Sequence, residues 1–171
     1  TRVKQPPRNI AASIHRRIKN AAEQSGERFS DVLQHYALER FLYRLSASPH
    51  RGRFILKGAL MLRVWEIAAA RPTRDIDLLG RTANQPARIG EIVREVCGAA
   101  VDPDGLEFDP ATVQVGRIAE EAEYEGVRAT LAGRLRKARI PMQIDIGFGD
   151  RVTPEPVEIE YPSVLGTPRA R

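Results

Sequence analysis

The run DIDLLG at residues 75–80 constrains the chain more than any other stretch. Polar and apolar residues alternate there as in a half-buried strand, so Asp75 and Asp77 share one face. Two like charges about 4 Å apart repel by on the order of 1 kcal/mol in water and about 4 kcal/mol near a protein surface. A third acid has the same setting: in QIDI, residues 143–146, Asp145 has an isoleucine on each side. If the two strands are neighbours, three carboxylates converge in a domain whose whole stability is roughly 5–15 kcal/mol. A hard divalent cation removes that conflict, because carboxylate oxygens are the ligands Mg2+ accepts. For either strand alone, exposed aspartates on a wet face would give the same pattern. Convergence is what separates the two readings.

A complementary half lies upstream. RFILKG reads as a short strand running into a turn at Gly58, and ALMLRVWEIAAA then has helical character. A glycine turn that opens a helix directs backbone N–H groups outward, where a phosphate is stabilised. Lys57 and Arg74 add positive charge. Metal, phosphate cradle and carboxylates together point to phosphoryl or nucleotidyl transfer.

The remaining elements frame these two. Asn9 is placed to cap a helix from Ile10 to Ser25 that ends at Gly26. Ser30 is the expected cap of a second helix, whose stripe Val32, Leu33, Tyr36, Ala37, Phe41, Leu42 and Leu45 predicts burial on one side. PARIGEIVREVCGAA is helical, with Ile89, Ile92, Val93 and Val96 on one face. Residues 109–135 read as a hairpin around an acidic turn, and IPMQIDIGFGD as a last strand. Two helices followed by strand, helix, strand, helix and three strands predict an α+β fold, a mixed or antiparallel sheet with helices on one side. We expect one domain over 1–171, with a helical part at 9–48 and a sheet core at 49–171. Arg16, Arg17 and Lys19 read as a wet helix face. Trp65, Tyr36 and Tyr43 read as core, and Asp150 as a turn residue.

Composition narrows the partners. The net charge of +5 favours polyanions: nucleotides, RNA, DNA or an acidic partner protein, while sparse aromatics argue against a base-stacking platform. A single cysteine, Cys97, cannot form an internal disulfide and reads as an inert thiol. No Cys/His set has zinc spacing. No apolar run spans a membrane and the start lacks a signal-peptide core, so the expected location is cytoplasmic, with no membrane partner.

The segments YALERFLYRLSASPHRGRFILKGALML, RPTRDIDLLG and QIDIGFGDRVTPEP resemble the AbiEii-like nucleotidyltransferases, toxins of type IV toxin–antitoxin systems. The resemblance implies a polymerase-β-like nucleotidyltransferase core. Asp75 and Asp77 then fall at its metal-binding pair and Asp145 at its third acidic position, with all three catalytic. Gly58 and Ala59 fall at the phosphate turn, and Lys57, Arg71, Thr73 and Arg74 flank the nucleotide. The implied substrate is a nucleoside triphosphate with Mg2+ as cofactor, the implied acceptor the end of a tRNA, and the implied partner a separate antitoxin protein. Ala59 departs from the serine or glycine usual in the broader superfamily, which removes a hydroxyl but keeps the backbone donors. The resemblance also implies a helical C-terminal half beyond YPSVL with a catalytic lysine and aspartate. Nothing up to Arg171 matches it, so the expectation is a fragment, a short product or an impaired relative.

Other classes stay in view. A truncated or impaired relative would bind nucleotide, RNA or antitoxin without chemistry. The two N-terminal helices suggest a DNA-binding module only weakly, because they lack a tight helix-turn-helix signal. Carboxylates with a lysine also suit a metal-dependent nuclease.

Overall fold

Sixteen residues, Ile10–Ser25, form α1 with the boundaries their sequence predicts. The Asn9 side chain accepts a hydrogen bond from the Ala12 N–H at 2.9 Å, and Gly26 closes the helix at φ 72°. Ile14, Ile18 and Ala22, a helical turn apart, are buried and give α1 a single apolar seam against the next helix. The computed structural model describes residues 9–64, 73–118, 126–149 and 155–166. The basic lead-in, Trp65, Arg71, the acidic turn at 119–125 and Asp150 lie outside the described residues.

The second helix, α2 (Phe29–Ala47), departs from expectation twice. Ser30 is not its cap. Arg28 holds that position without a side-chain bond, and its carbonyl accepts from the N–H groups of both Asp31 and Val32, so the helix starts two residues earlier. Burial is also not one-sided: His35, Glu39, Arg40 and Arg44 are buried together with the apolar stripe. Glu39, Arg40 and Arg44 go inside as members of ion pairs, and His35 packs its ring near that of Tyr161. Arg40 donates to Glu39 at 2.6 Å, and Arg44 grips Asp104 with two bonds of 2.7 and 3.0 Å.

After a short 3-10 turn at Arg51–Arg53 come β1 (Phe54–Lys57), α3 (Ala59–Val64), β2 (Asp75–Gly80), α4 (Pro86–Cys97), β3 (Leu106–Ile118), β4 (Gly126–Leu135) and β5 (Ala138–Phe148). The expected α+β order is the observed one. The strands form one five-stranded sheet in the order β1-β2-β5-β4-β3. Only β2 and β5 run parallel; the other neighbours are antiparallel, so the sheet is mixed. The β3–β4 ladder slips between Asp109 and Gln114, where Pro110 has no N–H to donate.

The sheet has two unlike faces. Ile76 and Leu78 of β2, Val127, Ala129 and Leu131 of β4 and Met142, Ile144 and Ile146 of β5 are buried. They join one core with Ile89, Ile92, Val93 and Val96 of α4 and the apolar residues of α2. Each of the larger side chains among them stabilises the fold by about 1.5–3 kcal/mol, and that fixes the register of the strands. The alternate residues, Asp75 and Asp77, Arg128 and Thr130, Gln143 and Asp145, are exposed or half-buried on the other face. No described helix is long and apolar enough to cross a membrane. Cys97 is half-buried, and burial pushes its thiol up to about 11, so it is a poor thiolate.

Candidate active site

Core packing of β2 and β5 sets the position of the acids. Ile76 pairs with Ile144 and Leu78 with Ile146 inside, and this brings Asp77 directly opposite Asp145 on the outer face. Asp75 stands one row along, opposite Gln143. Three carboxylates from two strands thus share one face, as their spacing requires. The row through Asp77 continues in both directions: Lys57 of β1 is paired with Asp77, and Arg128 of β4 with Asp145. Two acids side by side are flanked by a cation on the neighbouring strand at each side.

The electrostatics follow from that row. Burial, then the Asp145 charge, then Asp75 raise the pKa of Asp77, while Lys57 opposes them. Burial and Asp145 raise Asp75 too, against Arg128 and Arg74. The carboxylates therefore hold negative charge at a cost, the condition a bound cation relieves. Arg128 already relieves part of it: its Nε donates to Asp145 Oδ1 at 2.8 Å and its Nη2 to Oδ2 at 3.0 Å. Gln143 donates to the same Oδ2 at 3.3 Å. Among the described residues, no three acid, histidine or cysteine groups are gathered as a ligand set. The donor chemistry nonetheless suits a hard cation: only carboxylate oxygens stand at the centre of the row, with no thiol or imidazole among them.

Gly58 is required at its place for two reasons. Its φ of 73° lies in the left-handed region, and a Cβ there would come within 2.3 Å of Asp77 Oδ2. The turn therefore touches the carboxylate, and the Met61 N–H bonds to the Gly58 carbonyl at 3.0 Å as α3 begins. Ala59, the first residue of α3, is exposed beside it. Lys57 reaches across the face, its Nζ 3.2 Å from where a Cβ of Gly147 would be. Thr73 is used locally: its hydroxyl lies 3.3 Å from both the N–H and the carbonyl of Asp75 and anchors the start of β2. Arg74 is exposed next to Asp75.

A trough of about 330 Å3 opens from Asp75 along this face, lined by Arg74, Thr112, Gln114, Thr130, Arg139 and Gln143 among others. A larger cavity of about 500 Å3 lies elsewhere, beside Cys97 and the 98–108 connection. Of its charged groups, Arg44 and Asp104 are spent on each other, and Asp102 and Glu107 are exposed at its rim, so it gathers no comparable set of acids and cations. Arg128 and the trough residues Thr112, Gln114, Thr130 and Arg139 are not found by reading the sequence. Their one signal is the even spacing of 128 and 130 along β4, and its meaning depends on the register with β5.

A family model described as "Nucleotidyl transferase AbiEii toxin, Type IV TA system" matches residues 40–170. Among solved structures, "Crystal structure of putative nucleotidyltransferase from H. pylori" is similar at 18% identity and a TM-score of 0.44. The similarity covers 71% of this chain and 47% of that one, so the chain spans about half the length of that protein. No curated protein matches the chain.

Proposed function

The chain belongs to the AbiEii nucleotidyltransferase toxin family of type IV toxin–antitoxin systems, and on that premise we propose that its carboxylate face transfers a nucleotide from a nucleoside triphosphate to an acceptor hydroxyl. The observation that carries the reading is the pairing of Asp77 with Asp145 across parallel strands, with Asp75 one row away and the Gly58 turn in contact with Asp77. Asp75, Asp77 and Asp145 are the residues that would hold Mg2+, and the ion when bound would offset charge on the triphosphate and its leaving group.

The chain's own groups do the rest. The turn at Gly58–Ala59 and the Lys57 ammonium hold phosphate oxygens beside the acids. Arg74 adds charge at the other end of the acidic row. Asp145 accepts the proton of the acceptor hydroxyl as its oxygen bonds the α-phosphorus and the bond to the departing pyrophosphate breaks. The acceptor that the family resemblance suggests is a tRNA end, and the partner that restrains the reaction is an antitoxin protein.

Incubation with α-labelled nucleoside triphosphates, Mg2+ and RNA tests this. Asp77→Asn and Asp145→Asn, folded by their melting curves, should each lower label transfer at least about 100-fold. Undiminished transfer by either folded variant would remove the carboxylate site from the reaction. A second reading, polyanion binding without transfer, draws on the bidentate hold of Arg128 on Asp145. Triphosphate binding with no labelled product from the wild-type chain would favour it.

A further inference from the structure

The open face of the sheet does not end at the carboxylates. Two residues per row, β4 and β5 carry it from Arg128 and Asp145, through Thr130 and Gln143, to Ala132 and Pro141, and then to Arg134 opposite Arg139. Beyond that pair the strands turn through Arg136 and Lys137. Arg134, Arg136, Lys137 and Arg139 are all exposed, and none of them makes an ion pair among the described residues.

Local physics accounts for at most one of these cations: Arg134 has Glu107 of β3 opposite it on its other side, while Arg136, Lys137 and Arg139 have no acid across the ladder from them. Like charges directly opposite on a ladder destabilise it. Arg136 holds φ 54°, where a two-residue hairpin turn is better served by asparagine or glycine. Cations that guard exposed sheet edges do not explain them either, because β4 and β5 are interior strands. The trough beside Asp75 joins the two ends, since Arg139 lines it together with Thr130, Gln143 and Arg74.

We propose that this strip is the acceptor track of the transfer reaction, with the β4–β5 hairpin gripping the backbone phosphates of a single-stranded polynucleotide whose 3′ end lies at the carboxylates. The inference rests on the nucleotidyl-transfer reading. Asp145 is six positions along β5 from Arg139, about 20 Å of strand at ~3.3 Å per residue. That length takes about six stacked nucleotide steps at ~3.4 Å, or fewer when the strand is extended. The direction follows from charge. An acidic polypeptide laid along the track would bring carboxylates against Asp75 and Asp145. A polynucleotide ends in an uncharged hydroxyl there and places its anionic groups at the arginines. Thr130, Gln114 and Gln143 offer hydroxyl and amide groups to the bases and sugars between.

The test uses the full chain and a fluorescent short single-stranded RNA with a free 3′-hydroxyl, titrated over a range of salt. Arg134→Gln/Arg139→Gln and Arg136→Gln/Lys137→Gln should each weaken binding about tenfold at moderate salt and flatten the salt dependence by about 0.7 per lost phosphate contact. Arg16→Gln/Lys19→Gln, on the exposed side of α1, should bind as wild type does, and all variants should bind Mg2+–triphosphate equally. Unchanged RNA affinity in both hairpin variants overturns the proposal. An equal loss in the α1 variant overturns it too, by showing diffuse charge attraction. Polyglutamate competing as well as unlabelled RNA would assign the strip to an acidic protein instead. Wild type and Asp77→Asn binding RNA alike through the hairpin, with no transfer from either, would end the transfer reading and leave the hairpin as an RNA grip.

Discussion

Gly58 is the residue whose replacement has the most direct consequence. Alanine there meets a left-handed backbone and an Asp77 oxygen 2.3 Å from its Cβ. Gly58→Ala should cost about 2–4 kcal/mol, the sum of strain and overpacking, and should displace the Asp77 carboxylate. Chemical denaturation measures the first effect and label transfer the second; an unchanged midpoint would mean the turn relaxes freely. Arg128 invites the opposite experiment. It holds both oxygens of Asp145 through two hydrogen bonds, so it competes with any cation for them. Arg128→Ala should lower the melting temperature without Mg2+ and enlarge the rise on adding Mg2+. A variant with the same metal-free stability and the same Mg2+ response would show that the pair does not limit metal entry. The acids themselves are legible in the sequence, because a period of two fixes their face wherever the strands lie. Arg128 is not, because its place beside Asp145 depends on a register set by the chain on both sides of residues 119–125.

Among the elements, α2 shows best how far a sequence pattern reaches. Its apolar stripe is read correctly from helical spacing, but the burial of Glu39, Arg40 and Arg44 cannot be read from it, since a charged side chain goes inside only when a distant partner meets it. Asp104, sixty positions from Arg44, is that partner. Asp104 also accepts from the Leu106 N–H at 3.1 Å, and Arg44 lies 4.8 Å over the Phe108 ring, so the pair ties α2 to the start of β3. Asp104→Asn leaves a buried guanidinium without its counter-charge and should cost about 3–5 kcal/mol in denaturant unfolding. A loss under about 1 kcal/mol would mean that water reaches Arg44. The segment 155–166 completes the cover of this helix. Tyr161 is buried with its ring 6.0 Å from that of His35, and the Val164 N–H donates to Glu39 at 2.9 Å. Tyr161→Ala should cost about 3 kcal/mol and expose α2 to proteolysis; a protease-resistant variant would place the helix's protection elsewhere.

For the molecule as a whole, the sheet divides two tasks: one face is filled to hold the strands in register, and the other is kept charged at the expense of stability. That expense depends on pH with a definite sign. Asp75 and Asp77 both have pKa values raised above their ordinary 3.8, by burial first and by Asp145 next. A raised carboxylate binds its proton more tightly folded than unfolded, so its favourable contribution is complete below 3.8 and is lost as pH rises through the folded value. Above that value each ionised group weighs against the fold until a cation arrives. Glu95, lowered by its bond to His50, works in the other direction, so the whole-protein pH profile mixes the two. Subtraction isolates the site. The melting temperature of Asp77→Asn minus that of wild type should grow from acid to neutral pH without metal. With Mg2+ present at neutral pH the difference should shrink or change sign, because only wild type keeps the full set of oxygens to bind the ion. A difference independent of pH and metal would show that Asp77 carries no strained charge, and the case for a cation between β2 and β5 would go with it.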